Sequence, residues 1–94
     1  MTKQSYNYIL TIDVTQDYDT NILKEKLDIA VDWLRIVPGC YFIQSTTSDI
    51  DKLYIRFKKA LPNNRFFIAK LDINNGEYTG WLSKGKWDWI KNKK

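Results

Sequence analysis

From Tyr6 to Val14 the chain alternates between two faces. Tyr6, Tyr8, Leu10, Ile12 and Val14 fall on one side, and Asn7, Ile9, Thr11 and Asp13 on the other. Period-two alternation of this length predicts a strand with one strongly apolar face. Thr15 to Asp19 reads as a polar loop, with Asp19 or Thr20 placed to cap a helix. From Ile22 to Leu34 the period changes. Leu23, Leu27, Ala30, Val31 and Leu34 recur at helical spacing, and Asp28 and Asp32 fall on the solvent side of the stripe. A β-rich run, Trp33 to Val37, overlaps the end of this stripe. A second run spans Cys40 to Thr46. Pro38-Gly39 between them is a turn signal, so the two runs predict a hairpin.

Ser48 is placed to start a second helix, with Asp51 three residues on as a shortened capping-box partner. Its apolar stripe is Ile50, Leu53, Tyr54, Phe57 and Leu61, and Pro62-Asn63-Asn64 stops it. Arg65 to Ile73 predicts a strand with Phe67, Ala69 and Leu71 on one side and Phe66, Ile68 and Lys70 on the other. Asn75-Gly76 signals a tight hairpin returning through a short strand, Glu77 to Leu82. Ser83 is placed to cap a last helical turn or two holding Trp87 and Ile90.

The order is β-α-β-β-α-β. Two helices on one face of a four-stranded antiparallel sheet make an α+β, ferredoxin-like sandwich, here with an extra short C-terminal strand and a terminal short helix. The helix stripes supply the core. The far face of the sheet is expected to carry Ile9, Phe66, Ile68 and one side of the Tyr41/Ile43 strand. Left open, that face is an apolar patch, so a partner is expected to cover it, most economically in an isologous homodimer.

Ninety-four residues make one domain. Charge divides it in two. Over residues 1–83 ten Lys/Arg balance ten Asp/Glu, whereas residues 84–94 hold five lysines against one aspartate and carry the whole net charge of +4. The body is therefore neutral, and the basic character belongs to a tryptophan-containing end. No apolar run reaches the ~18 residues of a membrane span. Met1-Thr2-Lys3-Gln4-Ser5 leads almost directly into the first strand, which predicts no signal peptide. The single cysteine, Cys40, has no internal disulfide partner and reads as a packing residue, so a reducing, cytoplasmic setting is expected. The chain has no histidine, which removes His-based acid–base work, Ser-His-Asp and Cys-His nucleophiles and nearly every catalytic zinc site. Its four glycines are scattered and form no phosphate-cradling loop.

Two stretches resemble known families. Tyr8-Ile9-Leu10-Thr11-Ile12-Asp13-Val14 resembles the first strand of the small dimeric nuclease-like subunit of CRISPR adaptation and of the related virulence-associated protein D toxins. Gly80-Trp81-Leu82-Ser83-Lys84-Gly85-Lys86-Trp87-Asp88-Trp89-Ile90 looks like the ending of a broad group of small uncharacterised bacterial and phage proteins with the same fold. The resemblance implies a ferredoxin-like dimer from a mobile-element or defence system, with an aspartate ending strand one. Where the CRISPR subunit tends to carry a run of arginines at the start of helix one, this chain has Asn21-Ile22-Leu23-Lys24-Glu25-Lys26. That departure argues against nuclease activity and against that subunit's DNA contacts.

Three function classes follow. The favoured one is a non-catalytic homodimeric binding module whose Lys84, Lys86, Trp89 and Lys91 contact nucleic acid or a protein partner. It needs no cofactor. The second is a Mg²⁺-dependent nuclease using Asp13 from both subunits as catalytic residue and metal ligand, assisted by Asp17 and Asp19. Against it, Asp13 is also placed to pair with Arg65, and Asp17 and Asp19 suit loop and capping roles. The third is a phage inhibitor that docks purely on a host protein. Trp81 and Trp87 are expected to wedge against the sheet edge, with Trp89 facing outward. A small-nucleotide ligand stays open, while Tyr6, Tyr8, Tyr41 and Phe42 only weakly suggest an RNA-stacking sheet, without that module's signature.

Overall fold

The computed structural model describes residues 4–93. The expectations that fall on Met1 to Lys3 and on Lys94 lie outside the described residues. The elements run β1 (Tyr6–Ile12), α1 (Thr20–Leu27), β2 (Asp32–Val37), β3 (Cys40–Ser45), α2 (Ile50–Ala60), β4 (Phe66–Leu71) and α3 (Lys84–Lys91). The strands lie in the order β2-β3-β1-β4, with every neighbouring pair antiparallel. The fold is thus α+β and ferredoxin-like, with α3 added. No helix among the described residues is long and apolar enough to cross a membrane.

Local chemistry places the helices. The Asp19 carboxylate accepts the N–H groups of Asn21 (2.9 Å) and Ile22 (3.2 Å), opening α1. Helix α2 is capped by Asp49, whose carboxylate accepts Asp51 N–H at 3.0 Å. Ser48, expected as that cap, instead offers its carbonyl to Lys70 Nζ. Gly39 in the β2–β3 turn adopts φ +80, and a Cβ there would meet Val14 Cγ1 at 2.8 Å and the Ile12 carbonyl oxygen at 3.0 Å. Both the left-handed backbone and the close approach require glycine.

Helix α1 is shorter than its apolar stripe. It ends at Leu27, and Val31 N–H already donates to the Gln44 carbonyl at 2.8 Å. Leu34, expected on the helix, is paired with Phe42 in the sheet. The β-rich run from Trp33 prevails because pairing with β3 satisfies its backbone groups, which outweighs a helical spacing that local propensity supports only weakly.

Two clusters fill the interior. Between helices and sheet lie Tyr8, Leu10, Ile12, Leu23, Leu27, Tyr41, Ile43, Leu53, Phe57 and Leu61, all buried. Phe66 and Ile68 pack against this cluster, because Ile12 pairs with Phe66 and Leu10 with Ile68 across β1–β4. The expectation that Phe66 and Ile68 share the far face with Ile9 is therefore corrected. Cross-strand partners point to the same side of a sheet, so both belong with Leu10 and Ile12. Tyr41 and Ile43 face the helices for the same reason.

The far face carries Ile9, Leu34, Ile36, Phe42 and Leu71. These residues are covered by the chain's own C-terminal segment, through Ile73, Tyr78, Leu82, Trp87, Trp89 and Ile90, while Phe67, on the same side by its pairing with Thr11, stays exposed. Residues 77–83 form no strand. The Asp72 carboxylate accepts the N–H groups of Asn74 and Asn75 (3.0 and 2.9 Å), and Gly76 N–H donates to the Asp72 carbonyl. This side-chain-capped turn replaces the expected Asn-Gly hairpin. It sends the chain beneath the sheet, where Ile73 and Ile90 are buried.

Candidate functional site

The basic end is largely spent on holding itself in place. Lys86 Nζ donates to the Ile36 carbonyl at 2.6 Å, and Lys93 Nζ to the Asp32 carboxylate at 2.7 Å. Lys93 also lies 4.5 Å from the centre of the Trp89 ring. Lys84 pairs with Asp88 one helical turn on, at 3.0 Å. Lys91 is exposed. Trp89, expected to face outward, packs edge-on against Phe42, and Trp87 stacks on Tyr78 with ring centres 6.4 Å apart. Trp81, expected to wedge against the sheet, is 99% exposed. The helical repeat decides this: Trp87 and Ile90 are one turn apart on α3 and face the sheet, and Trp89 reaches Phe42 from the flank.

Asp13 follows β1 as expected, but its carboxylate is engaged locally. Oδ1 accepts the Thr15 N–H at 2.9 Å and the Thr15 hydroxyl at 2.7 Å. These bonds, hydroxyl first, hold its carboxyl below the usual carboxylate range, with a smaller contribution from the Arg65 charge. Its backbone ties β1 to the start of β4: Asp13 N–H donates to the Arg65 carbonyl, and Asn64 Nδ2 donates to the Asp13 and Gln16 carbonyls. Asp19 is occupied at the α1 cap. Among the described residues no group of three or more His, Cys, Asp or Glu side chains is arranged to hold a metal ion.

The aromatic residues do not form an open stacking sheet. Tyr8 and Tyr41 are buried beneath the helices, with the Tyr8 hydroxyl donating to the Thr47 carbonyl at 2.7 Å, while Phe42 lies on the opposite face under Trp89. Burial pushes the Cys40 thiol up, which disfavours its thiolate.

A different region stands open. Strand β4 is a sheet edge, paired only with β1 among the described residues. Beside it Phe67 is 66% exposed and, from α2, Tyr54 is 53% exposed. The Tyr54 and Phe66 rings lie 5.5 Å apart, tilted by 31°. They are shared by two adjoining concavities of about 540 and 230 Å³, which run along the seam between α2 and β4. Lys58 and Arg65 line one end of this seam and Asp51 the other. Sequence reasoning passed over these residues by assigning Phe66, rather than Phe67, to the open side. The parity of β4 against the Leu10/Ile12 face carried the missing signal.

Comparison with protein-family models, with curated proteins and with solved structures returned no match. The seam and the strand edge therefore stand on their own chemistry.

Proposed function

We propose that this chain is a non-catalytic binding module that docks on another protein through the β4 edge. The observation that carries this reading is Phe67, a large apolar side chain two-thirds exposed on an edge strand whose outer side has no partner among the described residues. Natural proteins usually blunt such edges, and one left open is a template for another chain. The nucleic-acid reading loses support because Lys84, Lys86 and Lys93 already have partners inside the molecule. The homodimer, proposed to cover the far sheet face, loses part of its motive because the C-terminal segment covers Ile9, Phe42 and Leu71 there. The mobile-element or defence setting rests on the family resemblance alone.

The test is capture from lysate by immobilised wild-type, Phe67→Glu and Lys84→Glu/Lys91→Glu proteins, at about 0.1 M salt and again at about 0.5 M, where exposed charge contacts are screened. The expected result is nuclease-resistant capture of protein by the wild type and the lysine variant, and loss with Phe67→Glu. Capture that survives Phe67→Glu but disappears with the lysine variant or with nuclease would return the function to nucleic acid, whose phosphate contacts weaken steeply with salt.

A further inference from the structure

We infer that the seam between α2 and β4 receives a short extended peptide, added to the sheet antiparallel to β4, with a carboxylate against Lys58 and Arg65. The inference rests on the docking reading and specifies its ligand.

The two edges of the sheet are built differently. On β2 the pairing register shifts between Arg35 and Val37, the Ile36 carbonyl is taken by Lys86, and Asp32 is held by Lys93. A bulge, charged side chains and a covering segment are the usual means of closing an edge. By contrast, β4 keeps an unbroken register with β1 from Phe66 to Leu71. Its one charged side chain, Lys70, donates to the Ser48 carbonyl and lies over the Tyr6 ring at 5.0 Å. That lysine is turned onto the protein's own surface and does not guard the edge.

The seam also has the dimensions of a peptide site. From Ile50 to Lys58 the helix rises about 12 Å, the span of roughly four residues of extended chain. In strand addition the main-chain hydrogen bonds supply affinity, and pockets for alternate side chains supply specificity. Here the Tyr54–Phe66 pair forms an apolar floor at the middle of the seam.

Charge sets the direction. Lys58 and Arg65 line one concavity at the start of β4, and neither makes an ion pair within 4 Å among the described residues, the Arg65 charge acting on the Asp13 carboxylate only from beyond that distance. Lys58 Nζ donates to the Pro62 carbonyl, a neutral acceptor. A strand running antiparallel to β4 brings its C-terminal end to Arg65, so that end carries the acid. Antiparallel pairing is also slightly the more stable arrangement per residue.

The experiment uses the full-length protein and a fluorescein-labelled hexapeptide of alternating threonine and valine ending in two glutamates. The control peptide ends in two lysines. Fluorescence polarisation gives affinity, amide NMR shifts give the location, and light scattering gives the oligomeric state. The expected result is saturable binding of the acidic peptide, with shifts confined to β4 and α2. Lys58→Glu/Arg65→Glu should lower its affinity at least tenfold and raise that of the lysine-ended peptide.

Absence of binding, or shifts on another surface, overturns the inference. So does a dimer whose β4 amides are protected from exchange without peptide, because a second copy then occupies the edge. Binding at β4 that ignores the charge reversal overturns the carboxylate assignment and leaves the docking reading standing. The docking reading fails separately, when Phe67→Glu captures the same proteins as the wild type.

Discussion

Trp89 packs edge-on against Phe42, with ring centres 5.3 Å apart and planes at 81°. This contact joins the last helix to the middle of the sheet's far face, where Phe42 is only 1% exposed. Truncating a fully buried aromatic costs about 3–5 kcal/mol, and Trp89 is half-buried, so Trp89→Ala is expected to cost about 2–3 kcal/mol. A double-mutant cycle with Phe42→Ala should show about 0.5–1.5 kcal/mol of coupling for the edge-to-face pair. Urea unfolding of the four proteins measures both. Independent unfolding of the C-terminal segment, seen as a separate early transition in tryptophan fluorescence, would show that the far-face cluster is not cooperative with the helix-side one.

The Asp32–Lys93 pair gives that segment a pH-dependent anchor. The hydrogen bond from Lys93 holds the Asp32 carboxyl below its ordinary range, against the opposing effect of partial burial. A carboxyl with a depressed folded pKa stabilises the fold above its unfolded pKa, near 3.9, and loses that contribution as pH falls through the folded value. The pair is half-exposed, so Asp32→Asn is expected to cost no more than about 1 kcal/mol at pH 7 and less at high salt. The difference between wild type and Asp32→Asn should shrink below pH ~4. A difference that persists unchanged at lower pH would contradict a charge-dependent role for Asp32, since both its bonds, from Lys93 and from the Trp33 N–H, favour the ionised carboxyl.

Neighbouring phenylalanines should behave oppositely. Phe66 packs into the helix-side core and Phe67 faces solvent. Phe66→Glu places a charge in that core and should destabilise by about 2–3 kcal/mol, whereas Phe67→Glu should stay within about 0.5 kcal/mol of wild type. Thermal unfolding separates them. Equal losses would mean that the β4 register differs from the one described.

For Asp13 the expectation is an absence of chemistry. Wild type and Asp13→Ala should release no nucleotides from single- or double-stranded DNA or RNA in the presence of Mg²⁺. Cleavage by the wild type that disappears in Asp13→Ala would restore the nuclease reading and with it a two-chain metal site.

The sequence alone determined the number and order of the main elements. Alternation over Tyr6 to Ile12, the Leu53/Phe57 stripe, the Asp19 cap and the Pro38-Gly39 turn are local signals, and each acts within a few residues. Tertiary structure decided what depends on partners distant in the chain. Helix α1 yields to β2 because Gln44 lies opposite Asp32 and accepts the Val31 N–H, a partner no local window contains. The Glu77 to Leu82 segment has a turn before it but no strand beside it, so Tyr78 and Leu82 cover the far face and do not extend the sheet. The faces of β4 follow from which residue lies opposite Ile12, and a one-residue change in that pairing exchanges Phe66 with Phe67. For the same reason the basic end was legible as charge, but its lysines became anchors only once Ile36 and Asp32 stood within reach.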